Sequence, residues 1–216
     1  RGSDLRPRNR VVHALTGASA QSRVAAITRD SYGRLLALLA AQVHDIASAE
    51  DALSDAFERA LQRWPQDGVP VNPEAWILTV ARNRLRDMWK SSAYRLTRPL
   101  PADDDSPAGI SDADGPPEIP DRRLELMLVC AHPAIAPDAR TPLMLQTVLG
   151  VDAAAVAGAF AVAPATMAQR LVRAKKRVRD ARIPFVLPER ADLAARLPGV
   201  LEAVYGAYAI DWQSTQ

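Results

Sequence analysis

Thr79, Arg82, Asn83, Arg86 and Lys90 stand at i, i+3, i+4, i+7 and i+11, the spacing that stacks side chains along one stripe of a helix. Arg and Lys neutralise phosphates and an amide such as Asn83 can read a base edge, so the chemistry of this stripe suits a nucleic acid. A second set lies toward the C-terminus, where small residues come first, then an amide, then cations: Ala165, Thr166, Gln169, Arg170, Arg173, Lys176 and Arg177. A helix so ordered can enter a major groove and bring Gln169 and Arg173 to base edges. A third set has a different character: Asp51, Asp55, Glu58, Arg59 and Gln62 share one face that is acidic at one end. The bland reading of each set is a solvated helix face.

Positioning these sets requires helices. Apolar residues from Ile27 to Val43, including Leu35, Leu36, Leu38 and Leu39, follow a helical period, and a short break at 44–47 ends them. Ser48 with Asp51 three residues on resembles a capping box. The helix it opens carries its core stripe on Leu53, Ala56, Phe57, Ala60, Leu61 and Trp64. Asp67, Gly68 and Asn72 belong to a run of turn formers, and Asn72 followed by Pro73 reads as an N-cap with proline at the first helical position. The third helix runs from Pro73 to about Lys90 and buries Ile77, Val80, Ala81, Leu85 and Met88. Farther on, Asp152 is a natural N-cap for a short helix with Val156, Ala157 and Phe160 inward. A tight turn follows at Ala161 to Ala163, and Pro164 restarts a helix with Met167, Leu171, Ala174 and Val178 inward. That is helix, short turn, helix.

Between these groups the stretch 100–121 is dense in Pro, Asp, Gly and Ser and reads as a flexible acidic linker. It divides the chain into a helical block over 26–99 and a helix-turn-helix block over 122–182. A further amphipathic segment fills 183–216, with Leu193, Leu197, Val200, Leu201, Val204, Tyr205 and Tyr208 at helical spacing. Residues 1–25 are expected to be flexible, and Arg1, Gly2 and Ser3 read as a remnant outside the fold. Two small domains suit the 216 residues, and an apolar content carried by Ala, Leu and Val favours an all-α fold. No apolar run approaches the roughly 20 residues that span a bilayer, so no membrane partner is expected. The single cysteine, Cys130, rules out an internal disulfide and fits a reducing cytoplasm. With His132 it could form half a metal site, but a buried structural thiol is the expectation, with no metal and no cofactor. The chain shows no phosphate-binding glycine loop and no nucleophile–base motif, so an enzyme is not expected.

The stretches AEDALSDAFERALQRWP, NPEAWILTVARNRLRDMW and PATMAQRLVRAKKRVRDARIPF, in this order around an acidic linker, resemble the extracytoplasmic-function sigma factors. More narrowly, they resemble the subgroup with a C-terminal extension related to tetratricopeptide repeats. The resemblance spans about 29–188. It implies two domains, like sigma regions 2 and 4, that act on core RNA polymerase and promoter DNA. Asp51, Asp55, Glu58, Arg59 and Gln62 would then meet the clamp helices of the largest polymerase subunit, with the flap as a further contact. Thr79, Arg82, Asn83, Arg86 and Lys90 would track the −10 element, and Asp67, Gly68 and Asn72 would lie in the loop that captures a flipped base. That loop departs from the family's Gly-Glu-Ser-type pattern. Ala165, Thr166, Gln169, Arg170, Arg173, Lys176 and Arg177 would meet the −35 element. The family's spacing of about 17 base pairs puts the two elements on the order of 58 Å apart. A linker of about 20 residues reaches at most about 70 Å and averages about 25 Å as a coil, so it must be drawn out on the polymerase. The extension leaves room for a regulatory partner or for intramolecular regulation.

A helix-turn-helix repressor or activator that works without polymerase would share the second block but leave the acidic helix without a task. A helical scaffold would leave both basic stripes unexplained.

Overall fold

The computed structural model describes residues 6–96 and 119–214, with side chains described over 20–90 and 119–210. Most of the acidic stretch expected to be a linker lies outside the described residues. All regular structure among the described residues is helical: α1 (Arg6–Val43), α2 (Ile46–Asp67), α3 (Pro73–Leu96), α4 (Arg123–Cys130), α5 (Pro137–Thr147), α6 (Ala153–Ala159), α7 (Pro164–Asp180) and α8 (Arg190–Ser214). No single helix among them is long and apolar enough to cross a membrane.

Helices α1, α2 and α3 pack on one another around Leu35, Leu36, Leu39, Ile46, Leu53, Trp64 and Ile77, all fully buried. Trp64 meets Trp76 edge to face at 5.5 Å, which fixes the start of α3 against the end of α2. Glu74 in the first turn of α3 ties back to α1, accepting from Ser31 and pairing with Arg34 at 2.6 Å. Leu61, expected in the core stripe of α2, is 43% exposed, and Val80 and Met88 are only half buried. Leu78 takes their place in the core.

Three boundaries differ from the sequence expectation. Helix α1 starts at Arg6, not near residue 26, and Ala20, Val24 and Ile27 are buried along it. Helix α2 starts at Ile46, because its N-cap is Asp45 and not Ser48: the Asp45 carboxylate accepts the Ala47 N–H at 3.1 Å and the Ser48 hydroxyl at 2.7 Å. His44, at φ 53°, makes the left-handed step between the two helices. Helix α3 continues past Lys90 to Leu96.

In the second block α4 and α5 build a platform under the helix-turn-helix. Their buried face includes Leu126, Leu128, Ile135, Leu143 and Met144, and α8 lies across them with Val200 and Ala203 buried. Cys130 closes α4 fully buried, 3.7 Å from the Thr147 hydroxyl, and burial pushes its thiol up to about 12. A thiolate is thus essentially absent at neutral pH. In the native protein Cys130 should resist alkylation by iodoacetamide at pH 8 and react once denaturant is added. Rapid native labelling would contradict its structural role.

The two blocks are packed against each other. Lys175 of α7 reaches both carboxylate oxygens of Glu50 on α2 at 2.8 and 2.7 Å, with both side chains mostly buried. Arg179 lies 3.5 Å from the Asp45 carboxylate, and His44 meets Phe185 edge to face at 5.7 Å. Gly33 of α1 sits so close to the end of α5 that a β-carbon there would fall 2.1 Å from the Val148 carbonyl oxygen.

Candidate nucleic-acid interface

The turn between α6 and α7 forms as its residues dictate. The Asp152 carboxylate caps α6 by accepting from Ala154 and Ala155, and Pro164 opens α7. Ala161 takes a left-handed φ of 49° where glycine would be unstrained, and Ala163 caps α7 without a side-chain acceptor. The axes of α6 and α7 are bent by 108°, within the range of helix-turn-helix pairs. Met167, Leu171, Ala174 and Val178 are buried and hold α7 on the platform.

The polar side of α7 is presented outward. Ala165, Thr166, Gln169, Arg173, Lys176 and Arg177 are exposed. Their surroundings separate them into two groups. Arg173 Nε donates to the Gln169 backbone carbonyl one turn back at 3.2 Å, and neither side chain has a carboxylate partner among the described residues. Arg170 is half buried and held by Asp138, 3.2 Å from its carboxylate, while Lys176 pairs with Asp180. Gln169 and Arg173 are therefore the groups most available to a base edge.

On α3, Thr79, Asn83, Arg86 and Lys90 are exposed along one side. Arg86 donates to the Asn83 side-chain oxygen at 3.0 Å, and Thr79 bonds back to the Ala75 carbonyl at 2.8 Å. Arg82 differs: it is half buried, its Nε is buried without a partner, and burial lowers its pKa from the ordinary arginine value. The loop before α3 is built by Gly68 at φ 85° and by Asn72, whose side chain caps α3 through the Ala75 N–H at 3.0 Å. Asp67 is the last residue of α2, and Val71 of the loop is fully exposed.

The acidic face of α2 is likewise open. Asp51, Glu58, Arg59 and Gln62 are exposed, and Gln62 donates to Glu58 at 3.0 Å. Asp55 is already engaged, 2.5 Å from Arg84 of α3. Glu50, one residue before this face, was not among the sequence candidates. Burial raises its pKa and the facing Lys175 partly offsets that. Arg140, which fixes the loop between α4 and α5, was also missed, because no local motif points to it.

Residues 28–95, from the second half of α1 to the end of α3, match the Sigma-70 region 2 family. The chain is 36% identical over 161 residues to an uncharacterized protein of Rhizobium meliloti, covering 73% of this chain and 38% of that one. It is 31% identical over 193 residues to the probable RNA polymerase sigma factor RfaY of Xanthomonas campestris pv. campestris, covering 82% of this chain and 46% of the relative. Against the probable ECF RNA polymerase sigma factor SigI of Mycobacterium tuberculosis the identity is 27% over 163 residues, 74% of this chain and 56% of the relative. The chain thus spans between about two fifths and a little over half the length of these relatives. A match over 82% of the chain cannot fit within either helical block, so the likeness crosses both. Residues 28–95 thus carry a Sigma-70 region 2 domain, an exposed helix-turn-helix follows in the second block, and the chain is similar to proteins named as probable RNA polymerase sigma factors, one of them of the ECF type.

Proposed function

We propose that this protein binds core RNA polymerase and directs it to promoters by reading a −10 and a −35 element, and that it is not itself an enzyme. The observation that carries this reading is one chain with an open acidic face on α2, an open basic and amide stripe on α3, and exposed Gln169 and Arg173 one turn apart on α7. Asp51, Glu58, Arg59 and Gln62 dock on the clamp helices of the largest subunit, with Asp55 contributing less because Arg84 already neutralises it. The flap is a further polymerase contact. Thr79, Arg82, Asn83, Arg86 and Lys90 follow the −10 strand, with the Gly68–Asn72 loop beside them. Ala165, Thr166, Gln169, Arg170, Arg173, Lys176 and Arg177 meet the −35 element, the first two through contacts that small side chains permit.

Reading both elements at once imposes a rearrangement. Sites on the order of 58 Å apart cannot be reached by domains in direct contact, so the Glu50–Lys175 and Asp45–Arg179 pairs must part when the holoenzyme engages a promoter. The extension begun by α8 provides a surface for a regulatory partner, and the whole process belongs to the cytoplasm.

Charge reversal tests the docking surface. Asp51→Lys with Glu58→Lys should weaken binding to core polymerase about tenfold at low salt, with the difference shrinking as salt rises. Neither carboxylate belongs to an ion pair within the described residues, so the fold should hold. Unchanged affinity in a core-binding titration would remove α2 from the interface.

A further inference from the structure

Beside the reading helix, on the edge away from α2, arginines from three helices converge on one short loop. The chain from Leu128 to Asp138 ends α4, crosses to α5 and exposes a row of carbonyl oxygens. Arg140 of α5 donates from Nε to Ile135 at 2.9 Å and from a terminal nitrogen to Pro133 at 3.1 Å. Arg177 of α7 donates from Nε to Ala134 at 3.2 Å, and Arg196 of α8 donates to Leu128 at 3.3 Å. His132 Nδ1 accepts the Ala134 N–H at 3.0 Å, which puts the imidazole proton on Nε2, away from the loop backbone.

The charges at this corner do not balance. Arg170 is matched by Asp138 and Arg196 by Asp192. Arg140 and Arg177 have no carboxylate partner among the described residues, yet each guanidinium is already oriented by the loop carbonyls. Arg177 keeps both terminal nitrogens for another acceptor, and Arg140 keeps one. Burial first, and after it the neighbouring guanidiniums of Arg196, Arg140 and Arg177, hold His132 below the ordinary histidine pKa. At about 100° per residue Arg177 lies one turn beyond Arg173 on nearly the same side of α7, so the corner borders the C-terminal end of the base-reading face.

We propose that Arg140 and Arg177, with His132 Nε2–H beside them, form a preoriented site for a phosphate oxyanion, and that its ligand is a backbone phosphodiester of the duplex read by α7. Fixed guanidiniums bind phosphate with little ordering cost, and a backbone contact sets register without carrying sequence information. The inference rests on the sigma-factor reading for the identity of the duplex. For the corner itself it rests on the charge imbalance and the loop geometry.

The test is the salt dependence of binding between reconstituted holoenzyme and promoter duplex, with free full-length chain and the same duplex measured in parallel. Arg140→Met should lower the slope of log affinity against log salt by about 0.9, the release expected for one phosphate contact, and weaken binding roughly three- to tenfold across all −35 sequences alike. Arg177→Gln should give the same pattern independently. Arg140→Lys keeps the charge but loses the fork on the loop, so it should retain most of the slope. If Arg140→Lys falls as far as Arg140→Met, the arginine only braces the loop and the proposal is overturned. It is equally overturned if both Met and Gln variants keep the parent slope. Replacing chloride by inorganic phosphate at constant ionic strength should leave the parent's affinity within about twofold. A larger loss that Arg140→Met abolishes would show the free anion competing with the duplex for this corner and would support the assignment. Failure to form holoenzyme would count against the sigma-factor reading, while the free-chain slopes would still decide the corner.

Discussion

Gly33→Ala should part the two helical blocks. In the middle of a helix this change ordinarily gains about 1 kcal/mol, since alanine is the better helix former. Here the new β-carbon would stand 2.1 Å from the Val148 carbonyl oxygen and 3.0 Å from its carbon. Both are backbone atoms at the end of α5, with no rotamer to move aside. Overpacking of this kind costs about 1–3 kcal/mol or more, which exceeds the propensity gain. The least costly relief is separation of α1 from α5, which also stretches the Glu50–Lys175 and Asp45–Arg179 pairs. The radius of gyration from small-angle scattering should rise with helix content unchanged, and promoter-dependent transcription should be retained, because the form proposed to engage a promoter is the open one. An unchanged radius with a higher Tm, the outcome of helix propensity alone, would show that the packed arrangement does not govern the protein in solution.

Arg173→Ala and Gln169→Ala should relax base preference at −35 without a matching change at −10. A good bidentate base contact discriminates by about 1–3 kcal/mol, roughly five- to 150-fold. These two side chains are exposed, one turn apart and without a carboxylate partner among the described residues. Lys176→Ala should instead weaken binding evenly across sequences, and only modestly, since Lys176 is already paired with Asp180. Changes in the Gly68–Asn72 loop should alter −10 preference alone. Transcription from promoter libraries randomised at each element reads both effects. If Arg173→Ala shifted only −10 preference, the assignment of α7 to −35 would be wrong.

Much of this architecture is written in local patterns. The helix-turn-helix is legible because Asp152 and Pro164 punctuate it and because Met167, Leu171, Ala174 and Val178 keep a strict apolar period. The cap of α3 is legible for the same reason, since Asn72 and Pro73 act within one turn. The start of α2 misleads because Ser48 and Asp51 mimic a capping box, while Asp45 takes the role by accepting from both Ala47 and Ser48. The early start of α1 carries no clear amphipathic signal. Contacts between distant residues leave no trace in spacing: Glu50 meets Lys175 and Gly33 meets Val148 only once both blocks are folded. Arg140 and Arg196 were invisible as site residues for that reason too, since the loop carbonyls they meet belong to no side-chain pattern.

The most direct measurement of the central claim is run-off transcription by purified bacterial core RNA polymerase, with and without the full-length chain, on a library of promoter fragments. Transcripts that require the chain, and that start downstream of a shared pair of elements about 17 base pairs apart, are the predicted result. Tight sequence-specific DNA binding by the chain alone, with no binding to core polymerase and no chain-dependent transcript, would contradict it.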